Sequence, residues 1–129
     1  MEINIPLGTT FRSEQKVEEK HTASEYGSGL AKVFSTPALV ALMENAAYRN
    51  LEPFLPEGFS SVGTEICVKH QKATLPGDTV YAISKIVEVD RRRIEFEIEA
   101  YDSKGLIGQG KHQRFIIETQ KFMAKLAEQ

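Results

Sequence analysis

A chain of 129 residues, 41% of them apolar and 26% charged, suffices for one folded unit with its own core. That balance is neither the polar excess of a disordered chain nor the long apolar run of a membrane span. The formal net charge of −2 removes the general basic excess on which nucleic-acid binding draws. Cys67 is the one cysteine and cannot close an intrachain disulfide; His21, His70 and His112 have no second histidine or cysteine at ligand spacing, so no metal or other cofactor is expected. Met1–Leu7 lacks the basic start and apolar stretch of a signal peptide, which points to the cytoplasm.

In chain order, residues 1–9 read as a lead-in and residues 10–19 as a polar edge strand. Residues 20–35, rich in Gly, Ser and polar side chains, read as a loop with at most one short ordered piece. Thr36-Pro37 then opens a helix, with threonine as cap and proline at the first helical position, where its missing N–H costs nothing. Leu39, Val40, Leu42, Met43, Ala46, Ala47 and Leu51 follow at helical intervals and define one broad apolar face, which Pro53 and Pro56-Glu57-Gly58 end.

Four strands are predicted after the helix: 61–72, 79–90, 93–101 and 106–118. In the third of these, Ile94, Phe96, Ile98 and Ala100 alternate with Glu95, Glu97 and Glu99. The links are Pro76-Gly77-Asp78, the run Asp90-Arg91-Arg92-Arg93 and Ser103-Lys104-Gly105, with a short amphipathic helix expected over 121–129. The arginine run reads as a solvated turn, with contact to the phosphates of a nucleotide-bearing substrate as the sharper alternative. Links this short impose antiparallel neighbours, and the helix must bury its apolar face on the sheet. The expectation is an α+β chain, one domain over 1–129, with an antiparallel sheet wrapped around one long helix: the hotdog fold.

Three polar residues stand where chemistry is possible. Glu44 lies at the margin of the helix's apolar face, beside Val40, Ala47 and Leu51, where a carboxylate either points to solvent or lines a cavity. His70 ends the series Val62, Thr64, Ile66, Val68, which a strict period of two puts on one face; there it is either a satisfied histidine or the border of a pocket. Thr36 is accounted for as a helix cap, but a helix N-terminus also offers free N–H groups to an oxyanion.

Particular stretches tie these residues together. Val33-Phe34-Ser35-Thr36, continued by Leu42-Met43-Glu44, resembles the helix entry of the fluoroacetyl-CoA thioesterase family. The run from Ser61 through Gly63-Thr64-Glu65-Ile66-Cys67-Val68-Lys69-His70 resembles that family's next strand, followed by Ala73-Thr74-Leu75-Pro76-Gly77-Asp78 in the same manner. Weaker likeness runs through Gly108–Arg114 to Lys121-Phe122. The resemblance implies hydrolysis of a small acyl-CoA thioester by a homodimer or higher homo-oligomer, with sites at or near the subunit interface. It implies Thr36, Glu44 and His70 as the catalytic set. It also implies Gly63, Leu30, Phe34 and Arg114 around the acyl group. The fluoroacetyl-specific member of the family carries phenylalanine where Leu30 aligns and glycine where Pro37 stands, so the reaction class carries over and the acyl group does not.

In such a site Glu44 is the candidate base or nucleophile, His70 the proton carrier, and Thr36 a nucleophile or a hydrogen-bonding group. Two readings compete: a hotdog module that binds acyl-CoA without turnover, and a hydratase. The hydratase reading wants a histidine on the central helix, which has none.

Overall fold

The computed structural model describes residues 3–129; Met1 and Glu2, part of the expected lead-in and of the stretch read for a signal peptide, lie outside the described residues. Ile5 of the lead-in is buried in the core. Strand β1 (Thr10–Lys16) is followed by a 3-10 turn (Glu19–His21) and one helical turn, α1 (Ala23–Tyr26). The long helix α2 (Thr36–Leu51) leads into β2 (Phe59–His70), β3 (Thr79–Asp90), β4 (Arg93–Asp102) and β5 (Gly105–Glu118), and α3 (Thr119–Ala127) ends the chain.

All pairings are antiparallel and the spatial order is β1-β3-β4-β5-β2. Helix α2 touches all five strands, so the sheet wraps around it in the hotdog arrangement. Ala38, Leu39, Leu42, Met43, Ala46, Ala47 and Leu51 meet Val80, Ala82 and Ile86 of β3, Ile94, Phe96, Ile98 and Ala100 of β4, and Ile107 and Ile116 of β5. Each large side chain among them contributes about 1.5–3 kcal/mol by leaving water. Among the described residues no helix is long and apolar enough to cross a membrane, and no cluster of His, Cys, Asp or Glu could hold a metal ion.

Two expectations need correction, and both bear on the site. The helix cap is Ser35, whose hydroxyl accepts from the Ala38 N–H at 3.1 Å; Thr36 is the first helical residue and Pro37 the second. The reason is local: Ser35 has the extended backbone (φ −80°, ψ 155°) that a capping side chain needs, and Thr36 is already helical.

The second concerns β2. Its register against β5 slips between Gly63 and Glu65, because Thr64 is an extra, bulged residue. The bulge reverses the alternation: Ser61 and Gly63 face the helix before it, and Ile66, Val68 and His70 after it, paired with His112, Gly110 and Gly108. Val62 and Thr64 therefore do not share a face with His70.

Candidate active site

The sequence places polar residues at two levels of α2, and the structure gives each level its own surroundings. At the helix entry, freeing Thr36 from capping lets its hydroxyl hydrogen-bond His70 Nδ1 at 2.8 Å. Ser35 satisfies the Ala38 N–H, its carbonyl accepts from Leu39, and Pro37 has no N–H. Among the described residues that leaves the Thr36 amide as the free donor of the first turn.

His70 is half-buried at the end of β2. Burial lowers its pKa below the ordinary histidine value, opposed in part by the Lys72 backbone, so the ring is neutral near pH 7. Lys72 nonetheless offers no well-aligned hydrogen bond, and Nε2 is buried without a partner among the described residues. The Thr36 hydroxyl and Nδ1 share one hydrogen bond, whose donor is set by the ring tautomer.

The strand end that carries His70 is anchored from three sides. The Gln71 and Lys72 amides donate to the Ile107 carbonyl at 2.7 and 3.1 Å, and the Phe34 amide donates to the Thr74 carbonyl at 2.8 Å. Buried Asp102 accepts from Lys72 Nζ at 3.0 Å and from the Thr74 hydroxyl at 2.8 Å. Burial works against the Asp102 charge, but the Lys104 N–H, Lys72 and Thr74 outweigh it and hold the carboxyl below its usual range. Phe34 is 1% exposed and meets the His70 ring edge-on at 6.5 Å, so it backs the imidazole and offers no free surface. Leu30 is 95% exposed, in a loop closed by Ala23 N–H to Val33 and Ser24 N–H to Ala31 hydrogen bonds.

The second level lies midway along α2. Glu44 is half-buried, and its Oε2 lies 3.0 Å from where a Cβ on Gly63 would stand. The same point is 3.2 Å from His112 Cε1 and 3.4 Å from Arg114 Nη1, so a methyl there would press on all three side chains. A side chain here would make the Glu44 carboxylate and its neighbours give by a few tenths of an ångström. Arg114, buried on β5, donates from Nε to the Ser61 hydroxyl at 2.8 Å and from Nη2 to the Ser61 carbonyl at 3.0 Å. Burial lowers its pKa, opposed by Glu44, Tyr48 and Glu52, but a guanidinium stays charged.

Thr36 therefore meets His70, Glu44 lies against Gly63 with Arg114 on the far side of the same point, and the two groups stay apart within one chain. Eight residues of helix separate Thr36 from Glu44, about 12 Å of rise. Reasoning from the sequence passed over His112, Ser61 and the Lys72–Thr74–Asp102 anchor. His112 was accessible, since two residues before Arg114 on a strand is the same face. Of the arginine run, Arg91 (φ 58°) and Arg92 form the turn, while Arg93 is engaged by Glu88, Asp90 and Glu95.

Comparison with known proteins places this geometry. Residues 17–120 match the fluoroacetyl-CoA-specific thioesterase family. A fluoroacetyl-CoA thioesterase from Streptantibioticus cattleyicolor is 41% identical over 97 residues, covering 75% of this chain and 70% of that protein. A solved structure of the fluoroacetyl-CoA thioesterase superposes with a TM-score of 0.91 at 34% identity over 98% of both chains. A phenylalanine-to-alanine variant of that enzyme, in complex with fluoroacetate and CoA, superposes with a TM-score of 0.86 at 35% identity over 92% of this chain and 99% of that one. With its sheet wrapped around α2 and its match over most of its length, the chain belongs to the fluoroacetyl-CoA-specific thioesterase family.

Proposed function

We propose that the chain hydrolyses a small acyl-CoA thioester to the free acid and CoA. We propose further that it does so as a homodimer, each site joining Thr36 and His70 of one protomer to Glu44 of the partner subunit. The observation that carries the chemistry is the 2.8 Å hydrogen bond between the Thr36 hydroxyl and a neutral His70. A hydroxyl held by a base is the minimal device for attack on a thioester carbonyl.

Two observations favour a shared site. The Thr36–His70 and Glu44–Gly63–Arg114 groups are separated within the protomer. Strand β2, which presents His70 and Gly63, is a twelve-residue edge of the sheet with one side unpaired. Such an edge invites a second copy, and a two-fold axis generates two equal sites.

In the proposed cycle the Thr36 oxygen attacks the carbonyl carbon while His70 Nδ1 takes the hydroxyl proton. The free Thr36 amide faces the developing oxyanion. The C–S bond then breaks and the imidazolium returns its proton to the departing sulfur, leaving an ester on Thr36. A water molecule, deprotonated by Glu44, attacks that ester; the C–O bond breaks, the proton passes back to Thr36, and the free acid leaves. An exposed, unpaired Cys67 fits the reducing cytoplasm.

The test is thiol release from a panel of short acyl-CoAs by Glu44→Ala and His70→Ala chains, separately and after mixing. Each alone should be inactive in steady-state turnover. Random pairing should restore about a quarter of wild-type activity, because half of the dimers are mixed and each holds one intact site. Mixtures as inactive as the parents, with exchange verified, would place all three residues in one chain. Binding of acyl-CoA by wild type without thiol release would make the protein a non-catalytic module.

A further inference from the structure

His112 has no assigned part in the reaction, yet it is the most tightly specified imidazole in the molecule. It is 3% exposed on the inner face of β5, paired across the sheet with Ile66 of β2 and Phe96 of β4. Its Nε2 lies 3.1 Å from Arg114 Nη1, and its Nδ1 lies 2.8 Å from the Glu65 carbonyl oxygen. A guanidinium has only donors and a carbonyl only accepts. Nε2 must therefore carry a lone pair and Nδ1 the proton: both partners dictate one neutral tautomer. The Phe96 ring stacks against it at 6.1 Å.

Each contact leads to the Glu44 level. Glu65 is the first residue after the β2 bulge, so the imidazole ties down the distortion that turns Gly63 toward the helix. Arg114 is the cation beside Glu44, and its Nη1 and His112 Cε1 flank the same point next to Gly63 as the Glu44 carboxylate. We propose that His112 is a positioning residue: its neutral imidazole accepts from Arg114 and donates to the bulge carbonyl, and so holds the cation and the bulge that place Glu44.

Protonation would put an N–H against Arg114 and break the arrangement. The charged or titratable groups facing this cluster are Arg114 on β5 and Glu44, Tyr48 and Glu52 on α2; Glu65 presents its backbone, and from β4 the facing side chain is Phe96. Burial first and Arg114 second lower the His112 pKa, against the Glu65 carbonyl and Glu44. The neutral form is the resident one at pH 7.

The kinetic consequence rests on the thioesterase reading; the tautomer does not. Nitrogen-15 NMR of the wild-type protein should show His112 protonated at Nδ1, with Nε2 unprotonated, and titrating below the ordinary histidine value. An Nε2–H tautomer or a normal titration overturns the proposal whatever the activity. In turnover of a short acyl-CoA, His112→Phe should lose about 10²-fold in kcat with KM little changed, as displacement of a reacting group by about 1 Å can do. His112→Gln, whose amide can accept from Arg114 and donate to Glu65, should recover most of that loss. Equal loss in both variants, or a change confined to KM, would show that His112 only fills space. Activity that no substrate elicits would sink the thioesterase reading and leave the NMR result standing.

Discussion

The two levels of α2 are built in contrasting ways. At the helix entry Thr36 is exposed, its link to His70 is a single hydrogen bond, and the Leu30 loop beside it in sequence stands in solvent. At mid-helix, Arg114 and His112 are buried and joined to each other, to Ser61 and to Glu65 by four hydrogen bonds. Removing a partner from the second region leaves buried polar groups unpaired, at about 1–3 kcal/mol each. Removing the Thr36 hydroxyl from the first leaves the helix cap intact. One level surrounds a carboxylate with buried hydrogen bonds; the other joins an exposed hydroxyl to an imidazole by a single one.

The largest expected effect breaks the contrast at the frame. Glu44→Ala should lower the steady-state rate by at least about 10²-fold, because a positioned base contributes that much. It should leave thermal stability within a few degrees of wild type, since the side chain is half-exposed and belongs to none of the buried hydrogen bonds. Acylation does not use this carboxylate in the proposed cycle. The variant should therefore release one thiol per site in a burst and accumulate an acyl group on Thr36, visible by intact-protein mass spectrometry. Normal turnover would remove Glu44 from the chemistry.

The second effect concerns pH and acts on both levels at once. His70 and His112 both have folded-state pKa values depressed by burial from 6.5. The unfolded chain thus binds more protons than the folded one just below that pH, and stability must rise with pH across the window. Denaturant midpoints should be flat above about pH 7 and fall as the solution is acidified through 6.5. His112→Gln should flatten part of that slope and His70→Gln another part. Asp102, held below its usual range, adds its own loss at still lower pH. A midpoint unchanged between pH 7 and 5 would mean that neither ring is held neutral.

Much of the architecture was legible in the sequence because it rests on periodicity. The apolar stripe of α2 and the Ile94–Ala100 alternation report burial directly, and the short links dictate antiparallel pairing. The bulge at Thr64 was not legible: one inserted residue keeps the composition of a strand and silently exchanges its faces, so Gly63 gained the inner side and Val62 lost it. The cap shifted by one position for a related reason, since Ser35 and Thr36 are chemically equivalent caps and backbone angles alone choose between them. His70 was placed correctly only because it lies on the far side of the bulge, in register with Ile66 and Val68. The resemblance named Thr36, Glu44 and His70 together, while geometry within one chain divides them; the eight-residue helical spacing of Thr36 and Glu44 already carried that separation, and the partner that His70 joins did not follow from it.

The smallest effect tests the helix entry, where neighbouring hydroxyls do different work. Ser35→Ala removes the side chain that accepts from Ala38 and should cost about 1 kcal/mol of stability. Thr36→Ser keeps the hydroxyl against His70 and removes only a methyl group at an exposed position, so stability should not change measurably. The methyl restricts χ1; without it the hydroxyl samples other rotamers and meets Nδ1 for a smaller part of the time. Turnover should fall by a few-fold, about the factor lost when one of three staggered wells is no longer preferred. A loss in Thr36→Ser as deep as in Thr36→Ala would mean that the methyl group, and not the proton shared with His70, is what the helix entry contributes.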